Sequence, residues 1–374
     1  MYRMKSINNN SHRKRDIILT IIASLLFVAF CYMLDAGLVP GAGSYQVRIL
    51  RLCFVYTILG LSMNLINGFT GQFSLGQPGF MAIGAYVTAL LVLSPAQKAA
   101  CFYITPIVPW LADVQLPFIV ALLLGGLAAA FVSFLIGFPV LRLRGDYLAI
   151  ATLGFSEIIR VMITNAQSVT NGSLGLKGIP SNANIWFTLA TAVLVVIFVV
   201  RLMKTSYGRA FKAIRDDDIA AEAMGVSLFK HKLLSFIIGG FLAGIGGGLL
   251  ASVVGAIDPL QFRFILVYDI LLIVVLGGMG SITGTIVAAF IITIAKEYLR
   301  FLDNGFDLFF IHVPAISGMR MLVFSVFLMI IILFFRNGIF GSKEFSWQGL
   351  FDLIKNIPSR LKALFSRKKG GAKE

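Results

Sequence analysis

Charged residues are scarce in this sequence. Asp, Glu, Lys and Arg make up 13% of the 374 residues, whereas soluble domains usually carry about a quarter. Hydrophobic residues make up 58%, and several apolar runs reach the roughly 20 residues that a helix needs to cross a bilayer. The composition excludes an ordinary soluble protein. It predicts an all-α polytopic membrane protein without a sizeable soluble domain.

Recognisable catalytic and metal-binding patterns are also missing. The sequence has no Walker-type phosphate loop, no HExxH and no GxSxG motif. Its three histidines lie far apart, and its three cysteines lie in or beside apolar runs without ligand spacing. We therefore expect no enzyme, no catalytic residue, no metal site and no cofactor in this chain. If ATP is used, other subunits must bind and hydrolyse it.

Acidic residues are few relative to basic ones, 17 against 32, which gives a formal net charge of +15. The basic clusters flank apolar runs: "SHRKRD" near the start, "LRLR" after Pro139, the segment 201–232, and the tail from Arg336. This placement is typical of the positive-inside rule and of contact with anionic membrane lipids. It argues against a nucleic-acid partner.

Ten apolar segments are predicted to span the membrane. With the N-terminus inside, every basic cluster falls on the cytoplasmic side, so both termini are predicted to be cytoplasmic. The expected domains are a tail 1–16, a membrane domain 17–335 with a cytoplasmic loop 204–232, and a basic tail 336–374. The segments are 17–35, 50–66, 78–94, 116–139, 147–164, 185–203, 233–256, 265–277, 281–299 and 318–335.

The loop 204–232 contains a predicted short helix from Asp216 to Met224. The aspartates 216–218 supply an N-cap and negative charge for the helix dipole, alanines favour the helix, and Gly225 favours its end. A solvated connector is one interpretation. The other is a helix that presents Ile219, Ala223 and Met224 to a groove on a partner. These residues alone favour neither.

An uncharged stretch, "NGFTGQFSLGQPGF" at 67–80, interrupts the apolar pattern. Non-helical backbone at membrane depth is tolerated where protein buries it or where it lines a cavity, and transporters place such breaks near substrate. We predict a break over 67–78 facing a central cavity. An ordinary loop is the alternative, but it would be expected to carry Lys or Arg. The predicted pathway residues are Asn67, Thr70, Gly71, Gln72, Ser74, Gly76 and Gln77.

Two further patterns bear on mechanism. Gly240, Gly244 and Gly248 form overlapping GxxxG motifs, which predict a face that another helix approaches closely. Buried acids are few within the apolar runs, whereas proton-coupled carriers usually carry several. Glu157 and Arg160, spaced i, i+3, could pair with each other. Ion-driven secondary transport is therefore the weaker hypothesis.

Five separated motifs resemble one family. They are "NLINGFTGQFSLGQPGFMAIGAYVTALL", "GDYLAIATLGFSEIIR", "GLKGIP", "SYGRAFKAIRDDDIAAEAMGV" and "VVLGGMGSITGTIVAA". In this order they are similar to the LivM-type permease subunits of branched-chain amino acid ABC importers. The resemblance covers about residues 50–300 and leaves the basic tail unmatched.

The resemblance implies a large-importer-type permease fold with broken helices in a bacterial cell membrane. It implies a sister permease, two ATP-binding subunits and an extracytoplasmic substrate-binding protein as partners. The substrate would be leucine, isoleucine or valine, although similar permeases carry urea, short amides or other amino acids. "AAEAMG" resembles the coupling helix that docks on the ATPase. The implied coupling residues are Asp217, Asp218, Ala221, Glu222, Ala223, Met224 and Gly225.

Overall fold

The computed structural model describes residues 2–38, 43–143, 145–300, 306–308 and 311–313, and scattered positions between 318 and 344. The predicted segment 318–335 and the basic tail 336–374 fall largely outside these residues. The chain divides into two compact units, residues 1–42 with 344–374, and residues 43–343. In the first unit, helix α1 runs over Tyr2–Asp35. The predicted tail 1–16 is thus helical from Tyr2 onward.

In its described residues, the second unit is built mainly of helices. Two short antiparallel pairs, β1–β2 (Leu176–Lys177 with Ala256–Ile257) and β3–β4 (Phe306–Leu308 with Ile311–Val313), add to them. Single 3₁₀ turns cover Gly172–Leu174 and Pro259–Phe262. The helices are α2 Ser44–Met63, α3 Gln77–Val92, α4 Pro95–Cys101, α5 Pro109–Ala112, α6 Phe118–Val140, α7 Asp146–Asn165, α8 Gln167–Thr170, α9 Ile185–Lys204, α10 Ser206–Asp216, α11 Asp218–Ala223, α12 Leu228–Val254, α13 Ile265–Gly277 and α14 Ile282–Tyr298.

Nine of the ten predicted segments coincide with helices in the part of the chain that the structure describes: α1, α2, α3, α6, α7, α9, α12, α13 and α14. Five stretches are long and apolar enough to cross a bilayer, namely α2 with its continuation to Phe69, α6, α7, α9 and α12. Shorter apolar helices occur at Ile22–Asp35, α3 and α13. The protein is therefore an all-α, multi-pass membrane protein. The helices support this class and do not establish the number ten.

Helices α2 and α12 form the centre of the second unit. In their most apolar windows, 89% and 72% of residues are buried, against 28% for both α7 and α9. Helix α12 packs on α3 and α6, and α2 packs on α14, α12 and α9. The outward faces of α6, α7 and α9 carry large exposed apolar side chains such as Phe131, Met162 and Leu194. Such faces suit lipid or a membrane-embedded partner.

The glycine face of α12 lies in tight helix contacts. A Cβ at Gly244 would lie 2.6 Å from the Ala129 Cβ of α6, and one at Gly240 would lie 2.5 Å from Ser133. A Cβ at Gly248 would lie 2.5 Å from the Thr88 Oγ1 of α3. No larger side chain fits at these distances, so the glycines allow α12 to lie directly against both neighbours.

The segment 93–117 folds at the end of α12 that is remote from the loop 204–232. Lys98 of α4 is buried at 1% exposure, and its Nζ donates to the Leu111 and Val114 carbonyls at 2.8 and 2.5 Å. Burial lowers the pKa of Lys98, and nearby Asp113 partly opposes this shift. Tyr103 and Trp110 are exposed on the same segment, as expected for aromatic side chains at headgroup level.

Candidate functional site

The uncharged segment breaks the helix between α2 and α3. A π-helical turn, Asn64–Phe69, continues α2, residues 70–76 are non-helical, and α3 begins at Gln77. The break is thus shorter than the predicted 67–78, with Asn67 in the π-helical turn and Gln77 in the first turn of α3. Gly71 has φ +72°, a left-handed conformation that favours glycine. The Gln72 N–H donates to the Ile66 carbonyl at 3.0 Å and closes the turn.

Side chains of the break are enclosed and hydrogen-bonded within the subunit. Asn67 Nδ2 donates to the Ser74 carbonyl at 3.2 Å, and the Ser74 N–H donates to Asn67 Oδ1 at 3.3 Å. Thr70 Oγ1 donates to the Leu65 carbonyl at 2.9 Å. Asn67, Thr70, Gln72, Ser74 and Gln77 are all under 9% exposed. In this structure the proposed pathway side chains are therefore closed off from solvent.

Gln72 and Gln77 connect the break to other helices. Gln72 Nε2 donates to the Lys232 carbonyl at 3.0 Å and to Ser235 Oγ at 2.8 Å, both on α12. Gln77 Nε2 donates to Ser62 Oγ at 2.7 Å, and Ser62 donates to the Gly239 carbonyl at 2.6 Å. The break is therefore held against the first half of α12 by neutral hydrogen bonds.

Asn64 joins the break to the turn between α13 and α14. Its Nδ2 donates to the Ser281 carbonyl (2.9 Å) and to Thr285 Oγ1 (2.7 Å), and its Oδ1 accepts from the Gly280 N–H (2.9 Å). A Cβ at Gly68 would lie 2.6 Å from the Gly280 nitrogen. The "LGGMGSITG" turn therefore packs directly on the π-helical turn, and glycine permits this approach on both sides.

Arg215 extends these contacts to the loop 204–232. It lies near the end of α10, where its Nη1 donates to the Gly68 carbonyl at 3.4 Å. A Cβ at Gly71 would lie 3.0, 3.1 and 3.3 Å from Arg215 Cγ, Cα and Cβ. The Gly71 backbone thus lies against Arg215, two residues before the Asp217 cap of α11.

Helix α11 corresponds to the predicted short helix Asp216–Met224 but is shorter, because Asp216 ends α10, Asp217 is the N-cap and Met224 is the C-cap. The Asp217 carboxylate accepts from the Ala220 N–H at 3.0 Å, and Gly225 has φ +84° beyond the C-terminus. Ile219 and Met224 are 78% and 85% exposed, whereas Ala221 is buried at 5%. Asp218 lies 3.8 Å from Lys232 Nζ. The helix is therefore anchored on one side and presents apolar side chains on the other.

Two residues, Arg215 and Lys232, link the predicted pathway residues to the predicted coupling residues. Arg215 and Lys232 each contact the break and lie next to α11 in sequence or in space. Exposed residues of the coupling set include Glu222, Ala223, Met224 and Gly225. A Cβ at Gly76 would lie 3.3 Å from Thr152, and the three glycines of α12 lie in helix contacts. Sequence reasoning missed Asn64 and Arg215. Arg215 reads as one more cation of a basic loop, and the lone amide Asn64 before the break was the available signal.

Comparison with known proteins places the chain in a family. Residues 45–336 match the family model described as "Branched-chain amino acid transport system / permease component". The chain is 37% identical over 310 residues to the high-affinity branched-chain amino acid transport system permease protein LivM of Escherichia coli (strain K12), covering 74% of this chain and 67% of that protein.

Two less similar proteins extend the comparison. A probable LivM of Methanocaldococcus jannaschii is 25% identical over 277 residues (66% of this chain, 78% of that protein), and a probable LivH of the same organism is 24% identical over 271 residues (71% and 81%). No solved structure matches. On the family match and the LivM similarity, the chain belongs to the permease component family of branched-chain amino acid transport systems.

Proposed function

We propose that this chain is a transmembrane permease subunit of an ATP-driven importer of branched-chain amino acids. It would pair with a sister permease, dock on two ATP-binding subunits and receive substrate from an extracytoplasmic binding protein. One observation carries the proposal: a capped, exposed helix, α11, lies beside two residues that contact the broken helix. A connector loop requires neither the exposed apolar side chains nor these contacts.

Helix α11 supplies the docking surface. Ile219 and Met224 offer apolar side chains to a groove on the ATP-binding subunit, and Glu222 adds a charge at the same exposed surface. Ala221 packs inward and holds the helix on the permease. Movement of α11 reaches the break by two routes, through Arg215 to Gly68 and Gly71, and through Lys232 to Gln72. ATP binding in the partner would thereby change the position of the break.

The break supplies part of the pathway when that position changes. Its groups are neutral hydrogen-bond donors and acceptors, which suit a substrate that must be released quickly. Gln72 Oε1 is buried and has no hydrogen-bond partner among the described residues, an arrangement that costs about 1–3 kcal/mol. Buried polar groups without a partner are rare in folded proteins. We propose that Gln72, Ser74 and Gln77 are exposed to substrate in a second conformation.

The names of the relatives support the proposed substrate class, and the placement of the basic clusters supports the proposed orientation. The LivM relatives are named for branched-chain amino acid transport, and we propose the same substrates here, transported inward with α11 and both termini cytoplasmic. Among the described spans, the acids Glu157 and Asp269 pair with Arg160 and Lys296. Paired acids do not favour a proton-driven carrier. A binding protein from the same transporter that binds no leucine, isoleucine or valine in calorimetry would overturn the substrate assignment.

Site-directed crosslinking tests the docking surface. Met224→Cys, in a chain whose native cysteines are replaced by alanine, should crosslink to a cysteine placed in the groove of the ATP-binding subunit. Tyr147→Cys is the matched control, because Tyr147 is similarly exposed at 73% but lies on α7. Equal crosslinking of both positions, or none at Met224→Cys in an assembled complex, would contradict docking through α11.

A further inference from the structure

A second polar region lies at the opposite end of α12 from α11. Residues of α2, α12, α13 and α14, with the turn before α13, enclose a cleft of about 620 Å³. This volume falls within the range of small-molecule sites, roughly 300–1,000 Å³. Leu250 and Val254 place the cleft at the last turns of α12. None of its lining residues belongs to the predicted pathway or coupling sets.

The cleft walls carry both signs of charge. Arg48 of α2 and Arg263, just before α13, are exposed, and neither has an ion-pair partner among the described residues. Lys296 of α14 forms an ion pair with Asp269 of α13, and both residues line the cleft. Glu297 accepts from the Tyr45 hydroxyl at 3.0 Å and lies 4.0 Å from Arg300 Nη1. The cleft therefore combines two arginines, without ion-pair partners among the residues that the structure describes, with two carboxylates, groups of opposite charge that suit the two ends of a zwitterion.

The inner wall of the cleft is largely apolar, and Tyr56 and Thr293 contribute hydroxyl groups to it. Leu52, Ile273 and Ile292 line it, and the last two belong to the buried cluster between α13 and α14. Thr293 is 4% exposed, and its Oγ1 is buried without a hydrogen-bond partner in the described part of the chain. Beyond the apolar cluster, the same three helices α2, α13 and α14 lead to Asn64, Ser281 and the break.

We infer that this cleft binds a free amino acid with an apolar side chain before it crosses the membrane. Arg48 and Arg263 would receive the α-carboxylate, Asp269 and Glu297 would attract the α-ammonium group, and Thr293 would donate to the carboxylate. Leu52, Ile273 and Ile292 would contact the side chain. The inference rests on the proposed function, and it adds a specific entry site at the far end of the pathway from α11.

A reporter cysteine in the cleft tests the inference. Leu260 lines the cleft and is 56% exposed, so Leu260→Cys, with the native cysteines replaced by alanine, should react with a small uncharged thiol reagent. The experiment uses the full complex with its sister permease and ATP-binding subunits in nanodiscs. L-leucine should slow labelling more than 4-methylpentanoate, which lacks the ammonium group, or 3-methylbutylamine, which lacks the carboxylate. Arg48→Gln with Arg263→Gln should weaken protection about tenfold or more, as expected when a hydrogen bond to a charged group is lost.

Controls separate the possible outcomes. Lys177→Gln removes an exposed cation outside the cleft and should leave protection unchanged. If labelling responds to anionic lipid in the nanodisc and not to leucine, the cleft is a lipid site and the inference is wrong. The same is true if the two single-charge analogues protect as well as leucine does. ATP-driven leucine uptake by the parent complex is measured in parallel, so that uptake without protection rejects the cleft alone, and absent uptake rejects the proposed function.

Discussion

Gly71→Ala places a methyl group at the contact between the broken helix and Arg215. The substituted residue must keep φ near +72°, and its Cβ would lie 3.0–3.3 Å from three Arg215 atoms, one of them the backbone Cα. An L-residue in the left-handed region costs roughly 1–2 kcal/mol. The crowding adds to this cost, because the Arg215 Cα cannot rotate away.

A cost of about 1.4 kcal/mol changes a conformational equilibrium tenfold. We therefore expect Gly71→Ala to lower ATP-driven uptake about tenfold, provided that the break must pass through this arrangement during each cycle. ATP hydrolysis by the assembled complex should fall less, because the α11 surface is unchanged. The assay compares uptake into proteoliposomes, ATP hydrolysis, and the yield of complex after size exclusion.

Two glycines supply matched controls. Gly145 has φ +60° with open space around its Cβ position, so Gly145→Ala adds backbone strain without a contact. Gly79→Ala, on α3 and outside the predicted pathway set, adds a methyl group 3.0 Å from the Ser156 Cα without left-handed strain. If all three variants lower uptake equally, the link through Arg215 is not needed for transport. If Gly71→Ala reduces the yield of complex as much as the uptake, the substitution acts on assembly and the prediction is wrong.

Three further predictions follow from other parts of the structure. Gly225 has φ +84°, and a Cβ there would have no atom within 4 Å, so Gly225→Val should strain the end of α11 without a clash. Transport and ATPase pull-down should fall while membrane insertion persists. Unchanged transport and pull-down would make the loop a connector. Single cysteines at Gln72, Ser74 and Gln77 should react slowly with a thiol reagent in the conformation described and faster in another ATP state. Equal reaction rates in every state would remove the break from the pathway. Lys98→Met should leave one buried and one partly buried carbonyl unpaired and destabilise the complex by about 1–3 kcal/mol, whereas Lys177→Met, at an exposed position, should not. Because burial lowers the pKa of Lys98, the folded state holds this proton less tightly than the unfolded state, so the wild type should gain stability relative to Lys98→Met as the pH rises toward the ordinary lysine pKa.

Helix positions were largely predictable because apolar length and basic flanks are local signals. Nine predicted segments coincide with helices, and the ends of α11 at Asp217 and Gly225 follow from their residue types. The predicted boundaries of the break, 67 and 78, were less accurate than the predicted helix positions. A π-helical turn keeps Asn67 helical because its backbone is satisfied by wider hydrogen bonding, and Pro78 in the first turn of α3 allows Gln77 to begin that helix.

Long-range contacts were not accessible from the sequence. Asn64 and Gly280 are 216 residues apart, and Arg215 lies 147 residues from the Gly68 carbonyl that it contacts. Residue type alone does not show that an arginine in a basic loop reaches a glycine of the broken helix. The cleft at the far end of α12 was likewise not accessible from the sequence, because Arg48, Arg263 and Lys296 come from separate helices or turns.

The most direct test of the account measures leucine uptake into proteoliposomes under two driving forces. With the sister permease, the ATP-binding subunits and the binding protein present, uptake should require ATP and should be lost with Gly225→Val. This chain alone, under a proton or sodium gradient, should move no leucine. Gradient-driven leucine uptake by the chain alone would contradict the central claim that it is a permease subunit powered by its partners.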